Sequence, residues 1–502
     1  MHRPIVSRTE QLCSCEVNVA KRFWRPASAL HSAARAGRTL DAQDAGSMTR
    51  RISKAALTQC ALIAASMLGG TASATDLLSA WQDAQEADPG FAAARAQQRA
   101  SDEALPQARA ALLPHMQAAV GTASNWGNGF SDQPSQQYTS NGYAASLVVP
   151  VFHWGDWQGL DIGKLKVARG DVAFEKARQS LMLQVARAYF DVLEAQDTLR
   201  FTQAHEASLD TQLKRAQAGF DAGSETVVDV DEARAAHDLA RADQASARSD
   251  FQIRRARLDK LVGHPTAALA ALPEGALLPA VANIDQWVSL AADQNLDVAS
   301  GRIDSEIAHK ETRQARAADL PTVDLVATFN HSSQASSRYM YAPAIGSNPG
   351  VTGGAGNSKV VGVQITIPIF AGGAVQSRKR ETLALEDKAA SELQSALENA
   401  ELDARQKYLA LVNGMDRIHA LQSAVKSSRT SSGSARTAYE VGDRTSTDVV
   451  IAEDRQYASQ TALSRARYDY LSQRLELAQI AGQLTDSELT DVNALLGEAK
   501  GN

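Results

Sequence analysis

The sequence predicts a mainly α protein that carries four short membrane-type β-strands and is built as an internal duplication. Three observations lead there. Proline is absent between Pro150 and Pro265 and again after Pro368, so two long stretches are free to be helical. Four segments of alternating apolar and polar residues sit between the proline pairs Pro114/Pro150 and Pro321/Pro368. Short motifs recur at a steady offset. Leu113-Pro114 matches Leu320-Pro321 at 207, Pro150-Val151-Phe152 matches Pro368-Ile369-Phe370 at 218, and Tyr189/Tyr408 and Gly223/Gly442 match at 219. Such a period is far longer than that of a solenoid repeat.

The first 74 residues are read apart from the fold. Residues 48–74 have a basic start (Arg50, Arg51, Lys54), an apolar run from Ala55 to about Gly70, and the small-residue ending Ala72-Ser73-Ala74. This is the pattern of a secretory signal peptide cleaved after Ala74. Residues 1–47 read as an upstream extension. A lipoprotein anchor at Cys60 is disfavoured because Gln59 stands where a small residue is expected.

Removing that segment changes the composition. The whole chain has 51 Lys/Arg and 57 Asp/Glu; residues 1–74 hold 10 and 4 of them, leaving 41 and 53, a net charge of −12. This balance argues against a nucleic-acid partner, because phosphate neutralisation needs a basic excess. All three cysteines (Cys13, Cys15, Cys60) precede residue 75, so no disulfide framework is expected.

From residue 75 on, two repeats are expected, 75–284 and 285–497, followed by a short tail at 498–502. Each begins with a helix, about 82–112 or 287–318. Two strands follow, then a long helix (156–217 or 373–437), a glycine turn, and a return helix (226–262 or 445–481). In the first long helix Leu181, Val185, Ala188, Val192, Ala195 and Leu199 step by three and four. Ala404, Tyr408, Leu411, Met415, Ile418 and Val425 do much the same in the second, with Gln422 interrupting. That is the seam spacing of helices packed nearly parallel.

The strands are expected at 115–125, 141–151, 322–332 and 358–369, each close to the ~10 residues of a tilted membrane strand. Tyr143, Ala145, Leu147, Val149 and Val151 share one face of the second. Val323, Leu325, Ala327 and Phe329 do so in the third, and Val361, Val363, Ile365, Ile367 and Ile369 in the fourth. The first is poorly patterned. Trp126, Trp154 and Trp157 stand just beyond strand ends, where interfacial aromatics belong. Alternation equally suits a half-buried soluble sheet. Export and the lack of a long apolar helix favour a β-barrel. Four strands cannot close one, since ~8 is the practical minimum, so the chain is expected to oligomerise.

On these residues the chain resembles the TolC family of trimeric outer-membrane channel-tunnels over about residues 76–497. The match is carried by Leu112-Leu113-Pro114 before the first strand and Ile367-Pro368-Ile369-Phe370-Ala371-Gly372-Gly373 after the fourth. It is also carried by the turns Gly219-Phe220-Asp221-Ala222-Gly223 with Val227-Val228-Asp229-Val230, and Tyr439-Glu440-Val441-Gly442-Asp443-Arg444 with Thr447-Asp448-Val449. The resemblance implies a homotrimer in outer-membrane lipid, with four strands per protomer in a 12-stranded barrel. It also implies a periplasmic α-barrel of helical hairpins, with residues 265–286 and 482–497 in a belt around its middle. Its implied partners are a periplasmic adaptor (membrane-fusion protein) and an inner-membrane ABC transporter or proton-driven pump. Type I protein secretion is the first expectation and multidrug efflux the second.

The resemblance further implies an aperture at the hairpin tips. Asp448 matches an acidic ring, and Arg444, its carboxylate partner Asp229, and Tyr439 match inter-helix links. The turns at Gly223 and Gly442 are candidates for adaptor contact. Two positions depart from the pattern: Ile451 replaces a second acidic ring, and Ala218 replaces the usual glutamine partner of the tyrosine. Read without the resemblance, Asp448 and Asp229 are ordinary helix N-terminal caps.

No catalytic, metal or cofactor constellation is expected. The ten histidines are scattered. The stretch Gly353–Lys359 is only superficially like a phosphate loop, lacks the G-K-[ST] ending, and lies between strands rather than before a helix. The rival classes are a periplasmic coiled-coil adaptor and a soluble coiled-coil scaffold.

Overall fold

The computed structural model describes residues 75–127, 136–273, 276, 278–279, 283–334 and 354–497. All of these lie in the unit Ala72–Asn502. The expected extension, signal peptide, cleavage residues Ala72 and Ala74, and tail at 498–502 lie outside the described residues.

In the first half, α1 (Leu77–Ala87), α2 (Pro89–Asp102) and α3 (Ala104–Ala110) lead to β1 (His115–Gly127) and β2 (Gln136–Phe152). Then come α4 (Trp154–Asp221) and α5 (Val227–Val262). The second half repeats this order with two leading helices instead of three: α6 (Ile284–Gln294), α7 (Leu296–Ala317), β3 (Thr322–Gln334), β4 (Gly354–Thr366), α8 (Ala374–Glu440) and α9 (Ser446–Ile480). A last helix, α10 (Asp486–Leu495), follows.

The single helices expected at 82–112 and 287–318 are each interrupted. Asp88 caps α2 by accepting from the Phe91 N–H at 2.7 Å, with Pro89 at the first helical position. Asn295 caps α7 by accepting from the N–H groups of Asp297 and Val298. Each cap restarts a helix instead of continuing one.

α4 has 68 residues and α8 has 67, which at ~1.5 Å per residue makes each about 100 Å long. Shorter helices run beside them in stacked pairs. Along α4, α2 and α3 cover the half nearest the strands and α5 the half nearest the turns. Phe91 stacks on Phe174 at 5.4 Å in the first zone, and Arg254 reaches Glu194 at 3.0 Å in the second. Along α8, α7 and α9 divide the length in the same way.

The main core lies where the stacked helices meet. Trp81 of α1, Tyr189 and Phe190 of α4, Leu258 of α5, Leu471 of α9 and Leu489 of α10 are fully buried there, and Leu269 and Leu272 of the connecting segment are buried beside them. The Tyr189 hydroxyl lies between the carbonyls of Thr75 and Ala270, 3.0 and 2.9 Å away, and its single proton is shared between them, tying the chain's first described residue to the segment around Ala270. A second core joins Ala404, Leu411 and Ile418 of α8 to Tyr470 and Leu477 of α9. The apparent break at Gln422 resolves here, because Leu421 packs against this core and Gln422 faces out.

The strands form one antiparallel sheet in the order β1-β2-β3-β4. β1 is regular despite its weak pattern, and β2 begins at Gln136, five residues before the expected start. The register aligns Val120 with Tyr143, Leu147 with Ala327, and Ala327 with Val361. With the two-residue period this puts Met116, Leu147, Leu325 and Val363 on the same face. The other face carries Gln117, Ser146, Thr328 and Gln364. In the protomer the apolar face is bare, with Val120 87% and Val361 76% exposed.

Pro150 shifts the β2–β3 register, as a residue without an N–H must. β4 ends at Thr366, not at 369 as expected. Its partner there is Thr322, the first residue after Pro321, and Pro368 has no N–H to extend a ladder. Residues 354–357, expected in the loop before the fourth strand, already belong to it. At the junction with the helices, His153 Nδ1 lies 2.9 Å from Asp156 of α4 and Nε2 lies 2.9 Å from Asp324 of β3. Among the described residues no helix is long and apolar enough to cross a membrane.

Candidate functional site: the two hairpin tips

The α4–α5 and α8–α9 turns are built alike. Gly223 and Gly442 sit at φ +79° and +81°, the left-handed region where a Cβ is strained, and an added Cβ at either would point into open space. Gly223 N–H donates to the Phe220 carbonyl and Gly442 N–H to the Tyr439 carbonyl, both at 3.0 Å, closing the helix ends. Each return helix then starts with a threonine cap and an aspartate three residues on, a capping box.

Asp229 Oδ2 accepts from the Thr226 N–H at 2.9 Å and hydroxyl at 2.7 Å. Asp448 Oδ2 accepts from the Thr445 N–H at 3.1 Å and hydroxyl at 3.0 Å. These bonds hold both carboxyls below their ordinary range, chiefly the Thr226 hydroxyl for Asp229 and the Thr445 backbone N–H for Asp448. Both residues are half-buried, and their lowered pKa values keep them charged at neutral pH. Within the protomer the two aspartates therefore act first as caps, and a capping carboxylate keeps its charge for other work.

Arg444 Nη1 lies 4.0 Å from Asp448 Oδ1, one turn along the same helix end, and not beside Asp229. Tyr439 donates its hydroxyl to Glu225 Oε1 in the opposite turn. Glu225 thus fills the acceptor role left open by Ala218. Gly219 makes room for it, since a Cβ there would stand 2.9 Å from Glu225 Cγ. Thr447 likewise donates to Glu232 of α5, and Arg215 lies 4.0 Å from Glu440. The tips are apolar as well as charged, exposing Phe220, Val227, Val228, Val441 and Ile451.

Above the tips lies a node that the sequence reading missed. Glu453 of α9 is buried. Its Oε1 accepts from Arg436 Nη2 of α8 at 2.5 Å and its Oε2 from Gln212 Nε2 of α4 at 2.8 Å. The signal was a carboxylate beside Val449 and Ala452 on the inward face of α9, with an arginine opposite on α8. Glu225 and Glu232 carried no periodic signal that marked them.

Two long helical hairpins hung from an open, lipid-type β-sheet define the protomer of an outer-membrane channel. The sequence matches the model of the family described as "Outer membrane efflux protein" over residues 80–264 and 287–483, and the chain belongs to that family, the TolC family of outer-membrane channels. It is 28% identical over 429 residues to the outer membrane protein TolC of Vibrio cholerae, covering 85% of this chain and 95% of that protein. It is 28% identical over 447 residues to the alkaline protease secretion protein AprF of Pseudomonas aeruginosa, covering 86% and 90%. The fold is similar to the crystal structure of the outer membrane protein VceC of Vibrio cholerae, with TM-score 0.67 at 18% identity over 81% of this chain and 96% of that one. The protein is thus an efflux or secretion channel of the Gram-negative outer membrane, and its family consists of transport components rather than enzymes.

Proposed function

We propose that three copies assemble into one export duct. Each supplies four strands to a 12-stranded barrel, and the α4–α5 and α8–α9 hairpins close an α-barrel whose periplasmic aperture lies at the tips. The observation that carries this is the sheet. Its apolar face is bare, and β1 and β4 have no strand partner on their outer edges among the described residues. Lipid cannot satisfy open backbone groups, so a spanning sheet must close on copies of itself. The shared element order and the family model's match to both halves support an origin by duplication, with repeats at 75–284 and 285–497.

At the aperture we assign Asp448 to a single ring of three carboxylates, with Ile451 adding an apolar rim instead of a second ring. Tyr439, Arg444 and Asp229 contribute closing links, and the turns at Gly223 and Gly442 receive a periplasmic adaptor. An inner-membrane ABC transporter completes the system, with type I protein secretion as its task. The likeness to the alkaline protease secretion protein supports that choice over drug efflux. Residues 48–74 are assigned as the signal peptide removed on export. The test is fractionation followed by photo-crosslinking from probes at positions 223 and 442. Heat-modifiable trimers in the outer membrane, crosslinked to an adaptor that co-purifies with an ABC transporter, are expected. Recovery as a soluble periplasmic monomer would reject the duct.

A further inference from the structure

The contact between α4 and α9 is a line of polar rungs. Arg187 donates to Glu476, Ser464 donates to Asp197 at 2.6 Å, His205 Nε2 faces Asp454 Oδ1 at 2.9 Å off the line of a hydrogen bond, and Gln212 donates to Glu453 at 2.8 Å. As the α4 number rises the α9 number falls, so the rungs follow one antiparallel register down to the tips. The rung at Glu453 is the last and the most buried, with 1% of its side chain exposed. It ties three helices, as does the upper rung at Glu476, which accepts from Arg187 of α4 and Lys407 of α8. Arg436 of α8 and Gln212 of α4 each take one oxygen of the Glu453 carboxylate, and the same Arg436 nitrogen reaches Ser208 of α4 at 3.1 Å.

A buried carboxylate is tolerated only when its partners are in place, so this contact resists rearrangement. The pairs below it are of another kind. Arg444 and Asp448 are 56% and 42% exposed, and Arg215 and Glu440 are exposed too. Exposed pairs of this sort contribute little. Asp448 precedes Glu453 by five residues, about 7.5 Å of helix. The setting of Glu453 therefore sets where Asp448 and the start of α9 stand relative to the first hairpin.

We propose that Glu453, clamped by Arg436 and Gln212, is the positioning residue of the aperture: it holds the α8–α9 tip against α4, and opening requires this rung to break or slide. The proposal rests on the reading of the tips as the aperture. Its test is basal conductance of purified full-length trimers in planar bilayers, read beside the heat stability of the trimer. Glu453→Gln and Arg436→Gln are expected to raise basal conductance at least threefold with trimers still formed. The exchange Arg436→Glu with Glu453→Arg is expected to bring it back toward wild type. Arg187→Met, on an upper rung, is expected to lower trimer heat stability and leave basal conductance unchanged. If Glu453→Gln assembles no trimer, Gln212→Leu decides, with the same threefold rise expected. Wild-type conductance in folded Glu453→Gln or Gln212→Leu trimers, or an equal rise in Arg187→Met, would overturn the proposal. A wild-type protein that forms no channel at all would instead defeat the aperture reading on which it rests.

Discussion

Tyr439, in the last turn of α8, donates its hydroxyl to Glu225, in the turn between α4 and α5. One side chain thus joins the two hairpins of a protomer where both end. Burial first, and then the bond to Glu225, pushes the Tyr439 phenol up to about 12. The phenol stays a proton donor through the physiological range.

Loss of this bond is expected to loosen the tips. A hydrogen bond to a charged group contributes ~1.5–3 kcal/mol, and partial exposure brings this one to the lower end. Tyr439→Phe should raise basal single-channel conductance severalfold, and Gly219→Ala should act in the same direction by crowding Glu225. Wild-type conductance should be flat between pH 6 and 9. A steep change in that range would mean that another group controls the link.

Asp448 separates cap from charge. Asp448→Ala removes both, while Asp448→Asn keeps a side chain of the same shape without the charge. Cation preference in a salt gradient is expected to fall in both variants, as for any charged pore ring. Loss of a capping residue costs about 1 kcal/mol, so only Asp448→Ala should also lower the melting temperature, by ~2 °C. Unchanged selectivity in both would remove Asp448 from the ion path.

Glu476 gives the acid dependence. Burial raises its pKa, but the hydrogen bonds from Lys407, at 2.5 Å, and from Arg187 more than offset this and leave it below its ordinary value. A carboxyl depressed in the folded state contributes stability above its unfolded pKa of about 4.5 and loses it as pH falls through the folded value. Wild-type trimers should therefore lose heat stability as pH drops from 5 to 3. Glu476→Gln should be less stable at pH 7 and lose less on acidification. Parallel pH profiles would contradict this.

Much of this was legible in the sequence, for definable reasons. The long helices showed as proline-free stretches with a repeating seam, and Asp229 and Asp448 showed as helix N-terminal caps, although Thr226 and Thr445, which complete their capping boxes, did not. The first strand showed only by its place after Pro114, because its Ala, Gly, Ser and Thr residues give almost no contrast between faces. Strand ends were misjudged where pairing continues past the apolar pattern, as in Gln136–Ser140, or stops early at a proline, as in β4. The Glu453 node was hidden for a different reason: its partners lie 241 and 17 residues away, and neither distance is a helical spacing.

The two sheet faces can be told apart by neighbouring residues. Val361 lies on the apolar face and Val360 on the face that carries Thr328. An arginine on the lipid face costs ~2–4 kcal/mol near the bilayer midplane, whereas the lumen tolerates it. Val361→Arg is expected to abolish outer-membrane assembly, and Val360→Arg to assemble and change ion selectivity. The reverse pattern would invert the sheet.

Closure of the barrel by copies of the chain is tested most directly by disulfide trapping. The three cysteines all precede residue 75, which leaves the strands clean. Cysteines introduced in pairs across the open edges, Ala118→Cys or Val120→Cys in β1 with Val361→Cys or Val363→Cys in β4, would be oxidised in intact outer membranes and run under denaturing conditions. A covalent ladder that stops at three chains is predicted. No crosslink from any pair, or a ladder running beyond three, would contradict the trimeric barrel.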